Sequence, residues 1–332
     1  MLDLKQLGEF GLIQLISENT IQDPGSVVAG IGDDAAVLLP APGKLQLLTA
    51  DMLVENVHFT LATTSAWQLG YKSMAVNLSD IAAMGGIPKH AVVSIALPRE
   101  TETEFVVAFY QGMKEICREF AVNIVGGDTV SSPQGLIINV TVSGEVEPAN
   151  LIRRSGAQVG DLVAVTGALG SSGAGLDLLL RGDWEKHKFA WPLITAHLTP
   201  RPQVRTGRLL AMHGVTSMDD ISDGLASEAN EIADASKVGM RLTAGKIPVL
   251  PEIGQAGELL QKDYLDYALY GGEDYELIFT INPDKYGKLA AEDLGVRLTV
   301  IGEVVTAAQG VTLLKEDGRS MILEPKGYNH FR

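Results

Sequence analysis

Carboxylates recur in this chain where its segments are otherwise apolar. GIGDDAAVL, Gly30 to Leu38, sets Asp33 beside Asp34; LLTADMLV holds Asp51; AVNLSDIAAMGG holds Asp80; VGGDTV holds Asp128; DDISDGLAS holds Asp220 and Asp223. Burying a carboxylate without a partner is costly, and two neighbouring ones repel. Any single one of these acids can be a helix cap or a turn residue, and Asp128 after Gly127 and Asp223 before Gly224 fit that reading. Five such segments in one chain fit a shared divalent-cation site better. Oxygen-only ligands select hard ions, Mg²⁺ or Ca²⁺. The dispersed spacing is unlike the contiguous EF-hand loop. Mg²⁺ characteristically takes one or two carboxylates and then phosphate oxygens, so acids spread over both halves predict several Mg²⁺ around a polyphosphate.

The adjacent pair is constrained by strand geometry. Successive strand residues point to opposite faces, so Asp33 and Asp34 cannot both face one metal unless the strand bulges. One is expected to be a ligand and the other to cap or hydrogen-bond; the pattern does not assign them. GALGSSGAG, Gly167 to Gly175, ends a strand and opens a helix, which suits backbone N–H contacts to an anion or, equally, a tight packing turn. It lacks the Lys-Ser/Thr ending of a P-loop. VGGD and YGGED let the backbone approach a ligand closely.

The elements that must position these groups follow from composition and pattern. The chain has 332 residues, 46% hydrophobic and 20% charged, enough for two domains with substantial cores. With 26 basic against 41 acidic residues the net charge is −15, which argues against a generic nucleic-acid or anionic-membrane surface. The single cysteine, Cys117, rules out an internal disulfide and a cysteine-built zinc or iron–sulfur site, and its helical context predicts a buried thiol. No signal peptide and no run of about 18 apolar residues is apparent, so a cytoplasmic protein is expected.

VVAGIGDDAAVLL, LQLLTADMLV, HAVVSIALP, VNIVGGD and LIINVTVSGEVE read as strands; Trp67–Met84 and Glu102–Phe120 read as helices. A break near Pro148 separates 1–148 from 149–332. The second half opens with the strand of GDLVAVTGALG. Helical patterns follow around Leu176, Val204 and Ala226, then strands at RLTA, YELIFTI and RLTVIGEVV. Two α+β domains are predicted.

In this order the segments GEFGLI, GIGDDAAV, TADMLVENVHF, KSMAVNLSDIAAMGG, GGDT, RRSGA, DISDGLASE, GGEDYEL and KGYNHF closely resemble the thiamine-monophosphate kinase family, from Gly8 to Phe331. That family lies in the superfamily of aminoimidazole-ribonucleotide synthetase, selenophosphate synthetase and the hydrogenase-maturation dehydratase. NVHF and KGYNHF separate it from those relatives. The resemblance implies a two-domain α/β (α+β) fold of the aminoimidazole-ribonucleotide synthetase type. It implies a homodimer joined through the N-terminal sheets, with 1–148 as the ATP/Mg-binding and dimerisation domain. It implies ATP-dependent conversion of thiamine monophosphate to thiamine diphosphate, the last step in making that cofactor.

By matching position, Asp34, Asp51, Asp80, Asp128, Asp220 and Asp223 would bind Mg²⁺. Thr49 and Ala50 match further ligating positions, Ala50 through its carbonyl alone. Tyr110, Gly127, Asp128, Arg154 and Ser222 match nucleotide contacts, and His58, Glu273 and Tyr328 match contacts to the thiamine substrate. GGDTVSS departs from the family's GGDTT, so nothing is expected of Val130.

The acceptor is already a phosphate whose second pKa lies near ~6, so no strong general base is required. Direct transfer without a covalent enzyme intermediate is expected, with Mg²⁺ offsetting the repulsion between two polyanions. A selenophosphate-type reaction would need a reactive cysteine near the N-terminus, which the chain lacks. A non-catalytic sensor would not need so many metal-type aspartates.

Overall fold

Alternation along Ile87–Pro98 decides the first half of the fold. Ala91, Val93, Ile95 and Leu97 are buried while Val92 is exposed, the period-two pattern of a strand with one covered face. The computed structural model describes residues 11–32 and 35–327. The chain divides into two compact units. One comprises the chain up to Ile81 with Gly86–Pro148; the other comprises Ala82–Gly85 with the chain from Ala149 onward.

In the first unit, residues 11–16 are helical (α1). Val27–Ala29 (β1) and Val37–Leu38 (β2) pair antiparallel as a small ribbon. VVAGIGDDAAVLL is therefore not the one strand that its composition predicts. The chain leaves β1 at Gly30, and Gly32 has φ of +124°, a conformation that ends extended pairing. Asp33 and Asp34 lie outside the described residues. The main sheet has the order β3-β6-β4-β5, from Leu45–Val54 (β3), Ile87–Pro98 (β4), Asn123–Ser132 (β5) and Ile137–Val146 (β6). β4 and β5 run parallel; the other pairs are antiparallel. One face buries Ile138, Val140 and Val142 of β6, while the other leaves Leu48, Met52, Val92 and Val130 exposed.

Two helices, Ala66–Ala83 (α2) and Thr103–Phe120 (α3), match the predicted ones within a residue. α3 buries Val106, Phe109, Tyr110, Met113, Ile116 and Cys117 at helical spacing, so the thiol is buried as expected. Its C-cap, Ala121, is left-handed at φ 54° and donates to Cys117 O. The helices touch through reciprocal glycines: Gly70 faces the backbone carbonyl of Phe109, and Gly112 that of Trp67, with no room for a Cβ at either.

The second unit holds a seven-stranded sheet, order β13-β12-β9-β11-β7-β10-β8. Its strands are Leu162–Thr166 (β7), Ser217–Asp220 (β8), Val238–Thr243 (β9), Leu277–Ile281 (β10), Leu298–Thr306 (β11), Val311–Leu314 (β12) and Ser320–Ile322 (β13). Both faces are covered. Val163, Val165 and Ile278 enter one core with Leu225, Ala229 and Ile232; Ala164, Leu277, Phe279 and Ile281 enter another with Leu210, Val215 and Leu289. Burial on both sides is why LVAVT and LIFTI are continuous apolar runs. A third cluster joins Ser171–Arg181 (α4), Ala190–Leu198 (α5) and Pro251–Leu260 (α8). Val204–Met212 (α6), Leu225–Ser236 (α7), Tyr264–Tyr270 (α9) and Pro283–Leu289 (α10) complete the helices. The mixed α/β class expected from the sequence is the class observed. Among the described residues, no helix is long and apolar enough to cross a membrane.

Candidate active site

The first acidic group is built by an edge strand and one helix. On β3, Thr49 and Asp51 share a face because they are two residues apart, and Ala50 points to the opposite, exposed face. On α2, Asn77 and Asp80 share a face because they are three apart. The Thr49 hydroxyl donates to Asp80 Oδ2, and the Asp51 N–H donates to Asn77 Oδ1 at 3.1 Å. Burial, reinforced by the neighbouring charge of Asp80, pushes the Asp51 carboxyl up to about 7. Two partly buried carboxylates that repel each other, beside a hydroxyl, form an oxygen donor set that suits a hard divalent cation. Mg²⁺ fits these residues. For Ala50, the outward side chain leaves the backbone carbonyl as its one means of ligation.

Asp128 is not brought to that group by its strand. It pairs with Ser94, whereas Gly127 pairs with Val93 of the buried face, so alternation puts Asp128 on the face that exposes Val92. Gly127 lies against the Val93 carbonyl, an approach that excludes any side chain there. His58 sits in a tight turn, its N–H donating to Val54 O at 2.9 Å and its Nδ1 accepting from Val54 N at 3.0 Å. Because a backbone N–H can only donate, Nδ1 carries the lone pair and the ring proton is on Nε2. Tyr110 is buried, edge-on to Phe109, in the wall of a cavity of about 490 Å³ that Trp67, Lys114 and Arg118 also line.

In the second unit, β8 splits the two aspartates at its end. Asp219 Oδ2 lies 2.6 Å from Arg154 Nε, and Arg154 also meets Glu231 Oε2 at 2.9 Å. Arg154, expected to clamp nucleotide, thus has two internal carboxylate partners. Asp220 follows on the other side of the strand, 4% exposed. Ser222 and Asp223 form the turn into α7. The Asp223 N–H donates to Glu228 Oε1 at 2.9 Å, a helix-start closure like that of a capping box but with wider spacing, from the residue before the N-cap Gly224. Glu228 Oε2 is buried and has no hydrogen-bond partner, and burial pushes this carboxyl up to about 8.

The GGEDYEL segment lies on this turn. Glu273 N donates to Ser222 O at 2.6 Å and Tyr275 N to Ile221 O at 2.9 Å, with Glu273 and Tyr275 both at positive φ. Ser222 and Glu273, expected to contact nucleotide and thiamine respectively, are therefore neighbours. Gly327 packs against the Asp223 carbonyl at the same turn; Tyr328 itself lies outside the described residues.

The Gly167–Gly175 turn, open to two readings from sequence, is a packing turn closed by an internal carboxyl group. Asp274 accepts from Gly170 N at 2.5 Å and from Ser172 N at 3.1 Å. A Cβ on Gly170 would lie 2.7 Å from Ala268 N. Among the described residues, no three His, Cys, Asp or Glu side chains of either unit converge as a ready metal cage. Sequence reasoning missed Asp219, Glu228, Asp274 and His197. Glu228 alone had a signal, an acid one turn into a helix after a Ser-Asp-Gly start.

The chain matches two family models, "AIR synthase related protein, N-terminal domain" over residues 32–146 and "AIR synthase related protein, C-terminal domain" over residues 158–315. It is 41% identical over 330 residues to the thiamine-monophosphate kinase of Bacillus subtilis (strain 168), covering 98% of this chain and 100% of the relative. The crystal structure of thiamine-monophosphate kinase from Stenotrophomonas maltophilia K279a matches with a TM-score of 0.83 at 35% identity, over 95% of this chain and 98% of that one. The structure of AaThiL complexed with AMPPCP and TMP matches with a TM-score of 0.79 at 36% identity, over 100% and 99%. Full-length identity and shared fold agree with the motifs, and the chain belongs to the thiamine-monophosphate kinase family.

Proposed function

We propose that this chain transfers the γ-phosphoryl group of ATP directly to the phosphate of thiamine monophosphate, giving thiamine diphosphate and ADP. The observation that carries this reading is the full-length match to a relative solved with AMPPCP and TMP. Use of ATP is the reason for assigning the reaction to the cytoplasm.

Asp51 and Asp80, with Thr49 of β3, would hold Mg²⁺, and Asp34, Asp128, Asp220 and Asp223 are the further metal positions. When bound, Mg²⁺ neutralises phosphate charge whose mutual repulsion is worth several kcal/mol per close pair at intermediate dielectric. The chain's own part is to bind and align. Gly127, through its backbone, Ser222 and Tyr110 contact nucleotide. Arg154, held by Asp219 and Glu231, presents the rest of its guanidinium to the nucleotide. His58, with its proton on Nε2, would meet the acceptor as a donor rather than a base. Glu273 and Tyr328 receive the thiamine portion. No side chain is needed as general base, because the acceptor oxygen is largely ionised at neutral pH.

The first unit serves ATP and metal, and its open sheet face pairs with that of a second copy. The test is incubation of the purified chain with ATP and thiamine monophosphate, followed by ³¹P NMR. Thiamine diphosphate and ADP in equal amounts, formed with Mg²⁺ and not without it, are expected. ADP with inorganic phosphate alone would refute the assignment, and a phosphorylated protein trapped on the way would refute direct transfer.

A further inference from the structure

Glu273 is held twice, and the second hold has no part in the reaction as described so far. Its backbone sits at φ +65°, a region that non-glycine residues seldom occupy, and is pinned by the 2.6 Å bond to Ser222 O. Its side chain reaches α5, where Oε2 lies 3.3 Å from His197 Nδ1. His197, on α5, is buried at 4% exposure, and the same Nδ1 lies 3.0 Å from Ser172 Oγ in the first turn of α4. Ser172 is in turn fixed through its backbone N–H by Asp274.

A carboxylate oxygen can only accept, so the 3.3 Å contact is a hydrogen bond in the tautomer that carries the ring proton on Nδ1, and Ser172 Oγ then accepts from the same N–H. We propose that His197 is a positioning residue: its Nδ1–H, steadied by Ser172, holds the Glu273 carboxylate in the orientation that receives the cationic thiamine portion of the acceptor. This rests on the assignment of Glu273 to the acceptor. A carboxylate on a freely rotating side chain must be ordered anew at each binding event, whereas one already tied at Oε2 is ordered beforehand. The role differs from that of a buried core histidine because it predicts an effect on one substrate only.

The experiment compares full-length His197→Leu, His197→Asn and Glu273→Gln. Leucine fills the space without a donor, and asparagine returns an N–H near the place of Nδ1. His197→Leu is expected to raise KM for thiamine monophosphate about tenfold, with kcat and KM for ATP within about twofold of the parent. His197→Asn is expected to recover most of that loss, and the His197→Leu/Glu273→Gln double variant to be no worse than Glu273→Gln alone. If Glu273→Gln raises KM for thiamine monophosphate and His197→Leu does not, the positioning role is overturned and the assignment of Glu273 stands. If Glu273→Gln changes nothing, the assignment falls and takes the proposal with it. Equal losses in both KM values and kcat for His197→Leu, unrescued by asparagine, mark a structural residue and overturn the role. Should the leucine variant not fold, ¹⁵N NMR of the parent's imidazole decides: a protonated Nδ1 supports the hold on Glu273, and a bare Nδ1 overturns it.

Discussion

Asp274 accepts a 2.5 Å hydrogen bond from the backbone N–H of Gly170, and its second oxygen takes the N–H of Ser172. One side chain therefore satisfies two donors at the start of α4, across more than a hundred residues of sequence. Such a group contributes as a cap does, with the added penalty that its removal strands buried donors. Asp274→Ala should lower unfolding free energy by about 2 kcal/mol or more, and Asp274→Asn, which keeps one acceptor, by roughly half as much. Urea denaturation of the three proteins measures this; an alanine variant as stable as the parent would show that water replaces the carboxylate at no cost.

Burial pushes both Asp274 and Glu276 up to about 7. Unfolded, an aspartate titrates near ~3.9 and a glutamate near ~4.3. Between those values and about 7 the folded chain holds protons that the unfolded chain has lost. Their contribution to stability is therefore full below the unfolded values and declines as pH rises, being gone above about 7. Asp51, Asp219 and Glu228 are shifted in the same direction. The melting temperature of the parent should fall from pH 5 toward pH 7.5. Glu276→Gln, whose amide oxygen can still accept from Thr166, should lessen that fall, and an identical slope in the two proteins would contradict the assignment.

The parts of this design that the sequence displays are those with short-range periodicity. α2 and α3 are bounded by Gly85-Gly86 and by Ala121, and their apolar spacing marks them to within a residue. The strands LVAVT and LIFTI announce themselves because both faces are buried. What stays hidden is long-range. β8 is the four-residue SMDD, whose strand character comes from pairing with β10 rather than from its composition. α5, α8, α9 and α10 were not distinguished either; the first two take their burial from the cluster they share with α4. Asp274 and His197 likewise owe their roles to partners on distant elements. VVAGIGDDAAVLL, read as one strand, is broken because β1 stops at Ala29 and Gly32 turns the chain at φ +124°.

The reciprocal glycines of α2 and α3 give a packing prediction. Gly112 faces the Trp67 carbonyl and Gly70 the Phe109 carbonyl, and neither obstacle is a flexible side-chain end. An added methyl must push two backbones apart, so the usual helix-propensity gain from glycine to alanine, at most about 1 kcal/mol, is outweighed. Gly112→Ala should destabilise by about 3 kcal/mol. Gly254, in α8 with open space around it, should be stabilised by the same change. Thermal melts of the two variants should move in opposite directions, and a Gly112→Ala protein that melts no lower than the parent would refute the close crossing.

Leu48, Met52, Val92 and Val130 share the open face of the first unit's sheet. Exposed apolar side chains gathered on one face mark an interaction surface. If that face pairs with its counterpart in a second copy, a charge placed there is buried twice, because a two-fold interface meets itself. Leu48→Glu should convert a dimer to a monomer in sedimentation equilibrium at micromolar concentration while leaving the circular dichroism spectrum unchanged. A parent that sediments as a monomer would remove the pairing.

Asp51 and Asp80 pose the sharpest opposition between stability and activity. Without a cation, burial and then the neighbouring charge of Asp80 push the Asp51 carboxyl up to about 7. Replacing Asp51 by asparagine removes that repulsion, so the metal-free variant should be at least as stable as the parent at pH 8. The same change removes an anionic ligand from the proposed Mg²⁺ position, and phosphoryl transfer should fall by about 10²-fold or more. Mg²⁺ should raise the melting temperature of the parent and not that of Asp51→Asn, since only a form that binds the ion gains by mass action. A variant that is both less stable without metal and still stabilised by it would mean that Asp51 serves the fold rather than the ion.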